Sequence, residues 1–495
     1  MLDRELVRKR LTDEVGAMRK QAPLTVALAY PSPYAAGMSS LGFQRIYRAI
    51  MEADGMACER VFLDDDAERD LRAQSRPLTY ESLRPMADLP IVAFSVAYEI
   101  ELAGVVAMLD AANVPALRED RDERHPFVLG GGPLTFSNPL PLAAFCDAIV
   151  MGEAEVLVLD VLRTIDETPG RAAQLAALAR MPHVFVPSIH GAILPEVAKV
   201  DPSMLPAWAA IRTPHAVLSD MFLVETERGC SRACKYCVMR RSTNGGMRIV
   251  PMETILGLVP ADAKRVGLVG AAVSDHPRIA QMVSTLADQG REVGLSSLRP
   301  DRLNDDLVSA LKKAGTRTLT TAMDGPSERL RDMLERRARP KHLERCAELA
   351  RKHGMDRLKL YLMIGLPSET DDDIDECARF VTELSKVIPI ALGIAPFCAK
   401  RNTPLDGTAF AGIDVVHDRL DRLRRGLRGR AEVRSTSAKW AWVEYVLAQG
   451  SEAEGRALCD AARAGGSFAS FKRSFEQLDR QKPDRPKRAL AIARV

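Results

Sequence analysis

The chain has 495 residues, of which 46% are hydrophobic and 27% are charged, and its formal net charge is +3. These values are ordinary for a globular protein, and the length exceeds what one hydrophobic core usually supports, so we expect two or three domains. The small net charge gives no support for a nucleic-acid partner. Residues 1–11 lack the apolar core of a signal peptide, and no apolar run reaches the roughly 18 residues of a membrane span. The sequence therefore predicts a cytoplasmic protein without a membrane partner.

Short apolar runs alternate with helical patterns from residue 24 to about residue 200. Such repeats predict a parallel sheet covered by helices on both faces, with ligands beyond the carboxyl ends of the strands. The predicted strands are 24–30, 91–96, 127–130 and 148–151, and the predicted helices between them are 41–54 and 100–112. The candidate ligand-binding residues at these strand ends are Tyr30, Ser95, Gly130, Gly131 and Gly132. The three glycines serve equally well as a tight turn from strand to helix.

A second series of strands and helices begins near residue 221. The segment before it, 201–217, contains three prolines and little periodicity, which is typical of a linker. We therefore divide the chain into an N-terminal helix (1–22), a first domain (23–200), the linker (201–217), a second domain (218–410) and a helical C-terminal region (411–495). The strands predicted for the second domain are 221–226, 265–269, 293–297, 318–322, 359–364 and 390–395.

Cys230, Cys234 and Cys237 form a C-x3-C-x2-C triplet without a fourth cysteine nearby. Three thiolates can hold three irons of a four-iron four-sulfur (4Fe-4S) cluster and leave the fourth iron open to another ligand. The alternatives are three incidental buried thiols or a structural zinc site, which requires four closed ligands, and His215 does not complete such a set. The remaining cysteines are scattered singly, so a disulfide framework is not expected.

The cysteine triplet, with Glu227-Arg228-Gly229 before it and Gly365-Leu366-Pro367 at a later strand end, resembles the radical S-adenosylmethionine (radical SAM) superfamily. The first domain resembles the cobalamin-binding-type domain that precedes many radical SAM cores. The resemblance implies an α/β fold with an N-terminal Rossmann-like (flavodoxin-type) parallel sheet, a partial (β/α)6 barrel and a helical C-terminal region. It also implies an enzyme in which S-adenosylmethionine chelates the open iron, and one electron from a reductant such as a flavodoxin or ferredoxin cleaves it to a 5'-deoxyadenosyl radical.

The resemblance also assigns cofactor-binding residues at the strand ends of the barrel, where the chemistry of such folds gathers. Tyr236 occupies the position of an aromatic residue that contacts the adenine. The turn after the second strand is expected to bind the methionine amino group. Its usual acidic residue is missing, so Ser274 or Asp275 is expected to stand in for it. Arg299 is expected to pair with the methionine carboxylate, and a surface ion pair is the alternative. The full set is Tyr236, Gly270, Ala271, Ala272, Ser297, Arg299, Asp324, Ser327, Gly365, Leu366 and Pro367.

Cobalamin binding is left open by the sequence. The motif Asp-x-His-x-x-Gly, which supplies the histidine ligand of cobalt in the cobalamin-binding family, is absent. Two interpretations follow: either cobalamin binds without a protein histidine on cobalt, or the domain keeps this fold without binding cobalamin.

Several reactions are compatible with the motifs. A cobalamin-dependent methyltransferase is the first, and a cobalamin-independent enzyme that abstracts hydrogen is the second. Methylthiolation is disfavoured, because such enzymes carry extra cysteines in the N-terminal domain, where only Cys58 and Cys146 occur. A module that senses cobalamin or S-adenosylmethionine, or an electron carrier, is the non-enzymatic alternative. The substrate, a small molecule or a peptide, is not identified by the sequence.

Overall fold

The computed structural model describes residues 4–65, 75–241, 243–296 and 298–481. The chain forms two compact units, the first made of Met1–Asp220 together with Val446–Val495 and the second of Met221–Tyr445. None of the helices in the described part is long and apolar enough to cross a membrane.

The first unit is built on one six-stranded sheet. Its strands are β1 (Leu24–Pro33), β2 (Met56–Leu63), β3 (Ile91–Ser95), β4 (Phe127–Gly131), β5 (Ala148–Val150) and β6 (Val184–Phe185). Its helices are α1 (Arg4–Thr12), α2 (Tyr34–Gly37), α3 (Leu41–Glu52), α4 (Leu102–Ala111), α5 (Leu157–Glu167), α6 (Arg171–Leu178) and α7 (Pro187–His190). The strand order is β2-β1-β3-β4-β5-β6, parallel except for β6. The first five strands have the order of a flavodoxin-type sheet, so the predicted fold class of this unit is confirmed.

Strand β2 was missing from the sequence prediction. The strand is buried throughout, although its centre carries Glu59 and Arg60. Arg60 Nη1 lies 2.8 Å from Glu14 Oε1, and Arg60 Nε lies 2.6 Å from Glu81 Oε1. Because both partners lie far away along the chain, periodicity alone could not identify a buried strand here.

The residues predicted as a linker pack against the first unit. Ile211 is buried in the core of this unit, and its backbone N–H donates to Gln44 Oε1 at 2.9 Å. The C-terminal region predicted as one helical segment is also divided, because α16 (Glu452–Arg463) and α17 (Phe468–Gln481) belong to the first unit. A Cβ on Gly455 in α16 would overlap the carbonyl oxygen of Pro141. Arg463 pairs with Asp110 at 2.7 Å.

The second unit contains two parallel sheets and a small hairpin. Its strands are β7 (Met221–Glu225), β8 (Glu227–Arg228), β9 (Arg248–Ile249), β10 (Arg265–Val269), β11 (Glu292–Leu295), β12 (Thr318–Asp324), β13 (Arg357–Ile364), β14 (Ile390–Pro396) and β15 (Ala431–Ser435). Its helices are α8 (Met252–Leu258), α9 (Ile279–Asp288), α10 (Asp305–Lys313), α11 (Glu328–Met333), α12 (Pro340–Lys352), α13 (Asp371–Ser385) and α14 (Ile413–Leu427), and α15 (Ala438–Ala448) follows β15. The sheet orders are β11-β10-β7 and β12-β13-β14-β15, and β8 pairs with β9.

All six predicted strands of the second unit are present, and β15 adds a seventh parallel strand. The sequence prediction placed β15 within a helical region, because this short, largely exposed segment lacks a buried apolar face. In β13, Leu358, Leu360, Leu362 and Ile364 are buried. The alternation of the strand therefore turns Lys359 and Tyr361 to the opposite face.

Candidate functional site

The cysteine triplet lies in the loop between β8 and β9. These two short strands pair antiparallel and close the base of the loop, with Arg228 opposite Arg248. Gly229 follows β8 with φ of +82°, and a Cβ at this position would overlap the carbonyl oxygen of Gly246. Only glycine fits both the backbone conformation and the close approach.

Cys230, Cys234 and Cys237 line one pocket of about 190 Å³, as predicted for a common site. Cys230 and Cys234 are 6% and 5% exposed. In the described part of the chain, no three His, Cys, Asp or Glu side chains converge on a single metal ion. A 4Fe-4S cluster does not require such convergence, because each thiolate binds a different iron. The residues fit a cluster better than a mononuclear zinc ion, which takes all its ligands at about 2.0–2.3 Å.

Arg299 is buried beside the first cysteine, so the alternative of a surface ion pair is wrong. Arg299 Nη2 donates to Cys230 Sγ at 3.0 Å, and Arg299 Nε lies 3.4 Å from Asp275 Oδ2. Arg299 Nη1 is buried and has no hydrogen-bond partner among the described residues. This N–H group is available to an anion in the pocket, since an unpaired buried donor is otherwise costly.

Asp275 is held by three arginines beside the turn after β10. Its side chain is 2% exposed and pairs with Arg232, Arg299 and Arg302. Asp275 Oδ1 has no hydrogen-bond partner among the described residues, whereas the Ser274 hydroxyl oxygen accepts the backbone N–H of Arg299 at 2.9 Å. Of the two residues predicted to stand in for the missing acidic residue, Asp275 thus keeps an acceptor oxygen.

Glu227 provides the carboxylate that the turn after β10 lacks. Glu227 Oε1 accepts the backbone N–H of Ala272 at 2.8 Å, and the Thr226 hydroxyl donates to Oε2. A Cβ on Gly270 would overlap this carboxylate, so the glycine makes room for it. Burial raises the pKa of Glu227 to about 7. The sequence signal was its place directly before Arg228-Gly229, but only the fold shows that it reaches the next strand end.

Tyr236 and Asp324 both line the cysteine pocket. The Tyr236 hydroxyl donates to Asp324 Oδ2 at 2.8 Å, and Arg336 forms an ion pair with the same carboxylate. Burial and the Asp324 carboxylate raise the pKa of Tyr236 well above its usual value. The sequence analysis missed Arg336, which lies in an irregular segment after α11. Lys235 N donates to the Leu334 carbonyl at 3.0 Å and fixes the cysteine loop against that segment.

Ser327 has a structural position instead of the predicted contact with the cofactor. It is fully buried and caps α11 by accepting the Leu330 N–H at 3.3 Å. Its hydroxyl donates to Asp373 Oδ1 at 2.6 Å. With both hydrogen-bonding roles used inside the protein, Ser327 does not reach the pocket. Ser297, another predicted cofactor contact, lies outside the described residues.

The Gly365-Leu366-Pro367 turn does not line the cysteine pocket, but its Leu366 belongs to a buried cluster that contacts Tyr236. The N–H groups of Gly365 and Leu366 donate to the Glu369 carboxylate at 3.0 and 3.4 Å. Leu366 is buried in a cluster against which Tyr236 packs. Burial raises the pKa of Glu369 to about 7. Of the turn after β10, Ala271 lines the cysteine pocket, whereas the Gly270 N–H donates to Ser296 Oγ at 3.1 Å.

Other groups of the protein pack closely against most of the candidate residues of the first unit. Tyr30 is buried in the core, with its ring 5.4 Å from that of Phe43. A Cβ on Gly130 would lie 2.8 Å from Cys146 Sγ. Gly132 has φ of +102°, and a Cβ there would lie 2.6 Å from the Val96 carbonyl oxygen.

Ser95, Gly131 and Gly132 are the candidates of the first unit left only partly buried, and Gly131 pairs with Ser95 across β4 and β3. Gly132 has the positive φ of the tight turn that the sequence analysis gave as an alternative to ligand binding.

Two family models match the chain: "Radical SAM proteins, N-terminal" over residues 42–187 and "Radical SAM superfamily" over residues 224–381. The chain belongs to the radical SAM superfamily. The second match begins in β7 and includes the cysteine loop, Arg299 and Asp324. Membership makes this chain an enzyme, as the sequence predicted.

Relatives extend the similarity over different parts of this radical SAM enzyme. The uncharacterized protein MJ0966 of Methanocaldococcus jannaschii is 26% identical over 398 residues, which cover 78% of this chain and 80% of the relative. The ribosomal protein uS12 methylthiotransferase RimO of Geobacter sulfurreducens is 28% identical over 42% of this chain and 48% of its own length.

Among solved structures, the apo form of the cobalamin-dependent radical SAM enzyme OxsB matches with a TM-score of 0.50 and 11% identity, covering 82% of this chain and 56% of OxsB. The chain thus spans about half the length of RimO and OxsB, and the likeness to OxsB is one of fold.

Proposed function

We propose that this radical SAM enzyme holds a 4Fe-4S cluster at Cys230, Cys234 and Cys237 and cleaves S-adenosylmethionine reductively. The observation that carries the proposal is the common pocket of the three thiols, which Tyr236 and Arg299 also line. When bound, the cluster would supply the electron that breaks the sulfonium bond and yields a radical for attack on the substrate.

Arg299 has two tasks in this proposal. The guanidinium group donates to Cys230 Sγ at 3.0 Å, and this hydrogen bond would also stabilise the sulfur as a ligand of the cluster. The unpaired Nη1 is available to the methionine carboxylate, because a guanidinium carries donors in several directions. The ion pair with Asp275 holds both donors in place.

Glu227 and the turn at 270–272 are assigned to the methionine amino group. A cation near the buried Glu227 carboxylate favours its charged form and offsets the burial that raises its pKa to about 7. Tyr236, fixed by Asp324, is assigned to the adenine.

The proposal includes a small-molecule or peptide substrate and a one-electron reductant such as a flavodoxin or ferredoxin. An iron-sulfur cluster that must be reduced suits a reducing compartment, so we assign the enzyme to the cytoplasm.

Cobalamin-dependent methyl transfer is the second candidate reaction. The flavodoxin-type strand order of the first unit favours it, because sheets of this order bind ligands at the carboxyl ends of their strands. The packing of Gly130 and Gly132 against Cys146 and Val96 opposes it. A base-off cobalamin without a histidine ligand that stays with the protein through gel filtration would support methyl transfer, and loss of cobalamin in that step would support hydrogen abstraction.

Methylthiolation is not favoured despite the similarity to RimO. In the first unit, Cys58 and Cys146 are buried thiols, and burial raises the pKa of Cys146 to about 12. A second cluster would need at least three thiols at one place, whereas the cysteines of this unit, Cys58, Cys146 and Cys459, lie singly on β2, before β5 and on α16.

The proposal is tested by anaerobic reconstitution with iron and sulfide, followed by iron analysis and mass spectrometry of 5'-deoxyadenosine after addition of dithionite. Cys230→Ala, Cys234→Ala and Cys237→Ala should each lose the intact cluster and all cleavage activity. Cys398→Ala, which removes a partly exposed thiol of the same unit outside the motif, should keep both. Full iron content and cleavage by Cys234→Ala would contradict the assignment.

A further inference from the structure

A second pocket, of about 270 Å³, adjoins the cysteine pocket. It lies between β11 and β12, where the three-stranded and four-stranded sheets are not joined by hydrogen bonds. The two pockets share Ala271, Arg299, Ala322 and Arg336. A molecule in the second pocket would therefore lie next to the proposed cluster site.

Tyr361 lines this pocket and is 45% exposed, although β13 is an inner strand of its sheet. Its register neighbours are Ala322 on β12 and Gly393 on β14. A Cβ on Gly393 would lie 2.6 Å from two atoms of the Tyr361 ring. Small residues on both neighbouring strands thus leave room for the ring, and part of its surface stays open.

Lys359 places its ammonium group over the same ring, although its side chain does not line the pocket itself. Lys359 Nζ lies 4.7 Å from the centroid of the Tyr361 ring, within the distance of a cation–π contact. Within the described residues no carboxylate pairs with Lys359, whereas Arg357 and Arg434 nearby share Glu432. The positive charge of Lys359 is therefore available to a ligand.

We propose that Tyr361 and Lys359 form the substrate-binding platform of this enzyme and that it takes a small molecule with a flat conjugated ring and an anionic group. This inference rests on the proposed function, because it treats the ligand of the second pocket as the substrate. An exposed tyrosine ring favours contact with another flat ring, and the ammonium group favours a carboxylate or phosphate on that ring. A small molecule fits better than a macromolecule because the pocket is small and the chain has almost no net charge.

The test uses 1-naphthoate as the probe, with 1-naphthamide lacking the charge and cyclohexanecarboxylate lacking the flat ring. Binding to the full reconstituted chain is measured by calorimetry under anaerobic conditions without reductant. We expect 1-naphthoate to bind about tenfold more tightly than either analogue. Tyr361→Leu should weaken 1-naphthoate binding about tenfold, Tyr361→Phe should keep it, and Lys359→Met should remove the preference over 1-naphthamide.

Lys386→Met is the control for loss of charge, since Lys386 is exposed on a helix and pairs with Glu383. Equal binding of the three probes, or unchanged 1-naphthoate binding by Tyr361→Leu, would overturn the platform. So would a tenfold loss of S-adenosylmethionine cleavage in Tyr361→Leu without any probe, because Tyr361 would then belong to the cofactor site. Since binding is measured without reductant, a wild-type chain that binds the probe but never cleaves S-adenosylmethionine would refute the proposed function and leave the binding site in place.

Discussion

The Gly130–Gly132 segment of the first unit ends the parallel strand β4, and the Gly270–Ala272 turn of the second unit follows the parallel strand β10. Above the first turn, the space is filled by the protein itself, through Cys146 and the backbone of Val96. Above the second turn, the space is filled by the carboxylate of Glu227, and Ala271 lines both the cysteine pocket and the pocket that adjoins it. Small residues at a strand end thus indicate that another group packs closely against the backbone. The chemistry of that group decides whether the turn is structural or functional.

The largest effect on activity in this comparison is expected from Arg299, which lines the cysteine pocket beside the second turn. Arg299→Gln should lower the rate of 5'-deoxyadenosine formation about 100-fold, because it removes the buried charge that we assign to the methionine carboxylate. Iron content should change little. Arg302→Gln is the matched control, since Arg302 also pairs with Asp275 but is about half exposed. Equal losses in both variants would mean that the arginines act only by holding Asp275.

The glycines of the first unit provide the next comparison. Gly132→Ala should lower the free energy of unfolding by about 2–4 kcal/mol, because φ is +102° and the Val96 carbonyl oxygen is close. Gly131→Ala should cost less than about 1 kcal/mol, because its Cβ would meet only the Val150 carbonyl oxygen at an ordinary 3.6 Å. Urea denaturation of both variants measures the difference. Similar stabilities would show that the turn is not held by this packing.

Two buried carboxyls, Glu227 and Glu369, have a pKa that burial raises from 4.5 to about 7, and both should make the stability depend on pH. Between pH 4.5 and pH 7, each of these carboxyls is protonated in the folded chain and ionised in the unfolded chain. Its contribution to the free energy of unfolding is therefore present in full below about pH 4.5 and is lost as the pH rises to 7. Replacing either residue by Gln should remove about 1–2 kcal/mol of this fall in the free energy of unfolding.

Only Glu227→Gln should also raise the concentration of S-adenosylmethionine needed for cleavage. The same rise in Glu369→Gln would place both carboxyls in the cofactor site.

The smallest effect is expected at Tyr236. Tyr236→Phe removes the hydrogen bond to Asp324 but keeps the ring, and Arg336 still pairs with that carboxylate. The variant should lose about 1 kcal/mol of stability and bind S-adenosylmethionine a few-fold more weakly. Tyr236→Leu should bind it considerably more weakly if the ring contacts the adenine. Equal binding by the two variants would remove the ring from the site.

The sequence predicted those features that depend on neighbours along the chain. Apolar periodicity located six of the seven strands in the parallel sheets of the second unit, and the spacing of Cys230, Cys234 and Cys237 located the pocket. Features that depend on distant partners were missed. The buried strand β2 relies on Glu14 and Glu81 to compensate Arg60. Period-two alternation also does not say which face of a strand is inward, which is why Tyr30 was predicted at a ligand site and lies in the core.

Motif resemblance alone also does not tell a cap from a ligand contact. The resemblance implied that Ser327 contacts the cofactor, yet its hydroxyl caps α11 and donates to Asp373. Glu227 was not predicted to contact the turn after β10, because the two segments are far apart in the chain. They meet through a backbone hydrogen bond between Thr226 and Val269, which are 43 residues apart. Such pairings follow from strand order and not from local sequence.

The first unit consists of two stretches of chain with the whole second unit between them. The sheet of β1 to β6 is synthesised before the second unit, whereas α16, which covers Pro141 and pairs with Asp110, is synthesised after it. The second unit is therefore available to fold while the first still exposes the apolar surface that Leu458 will bury. During synthesis, the first unit is thus completed only after the whole second unit has been made.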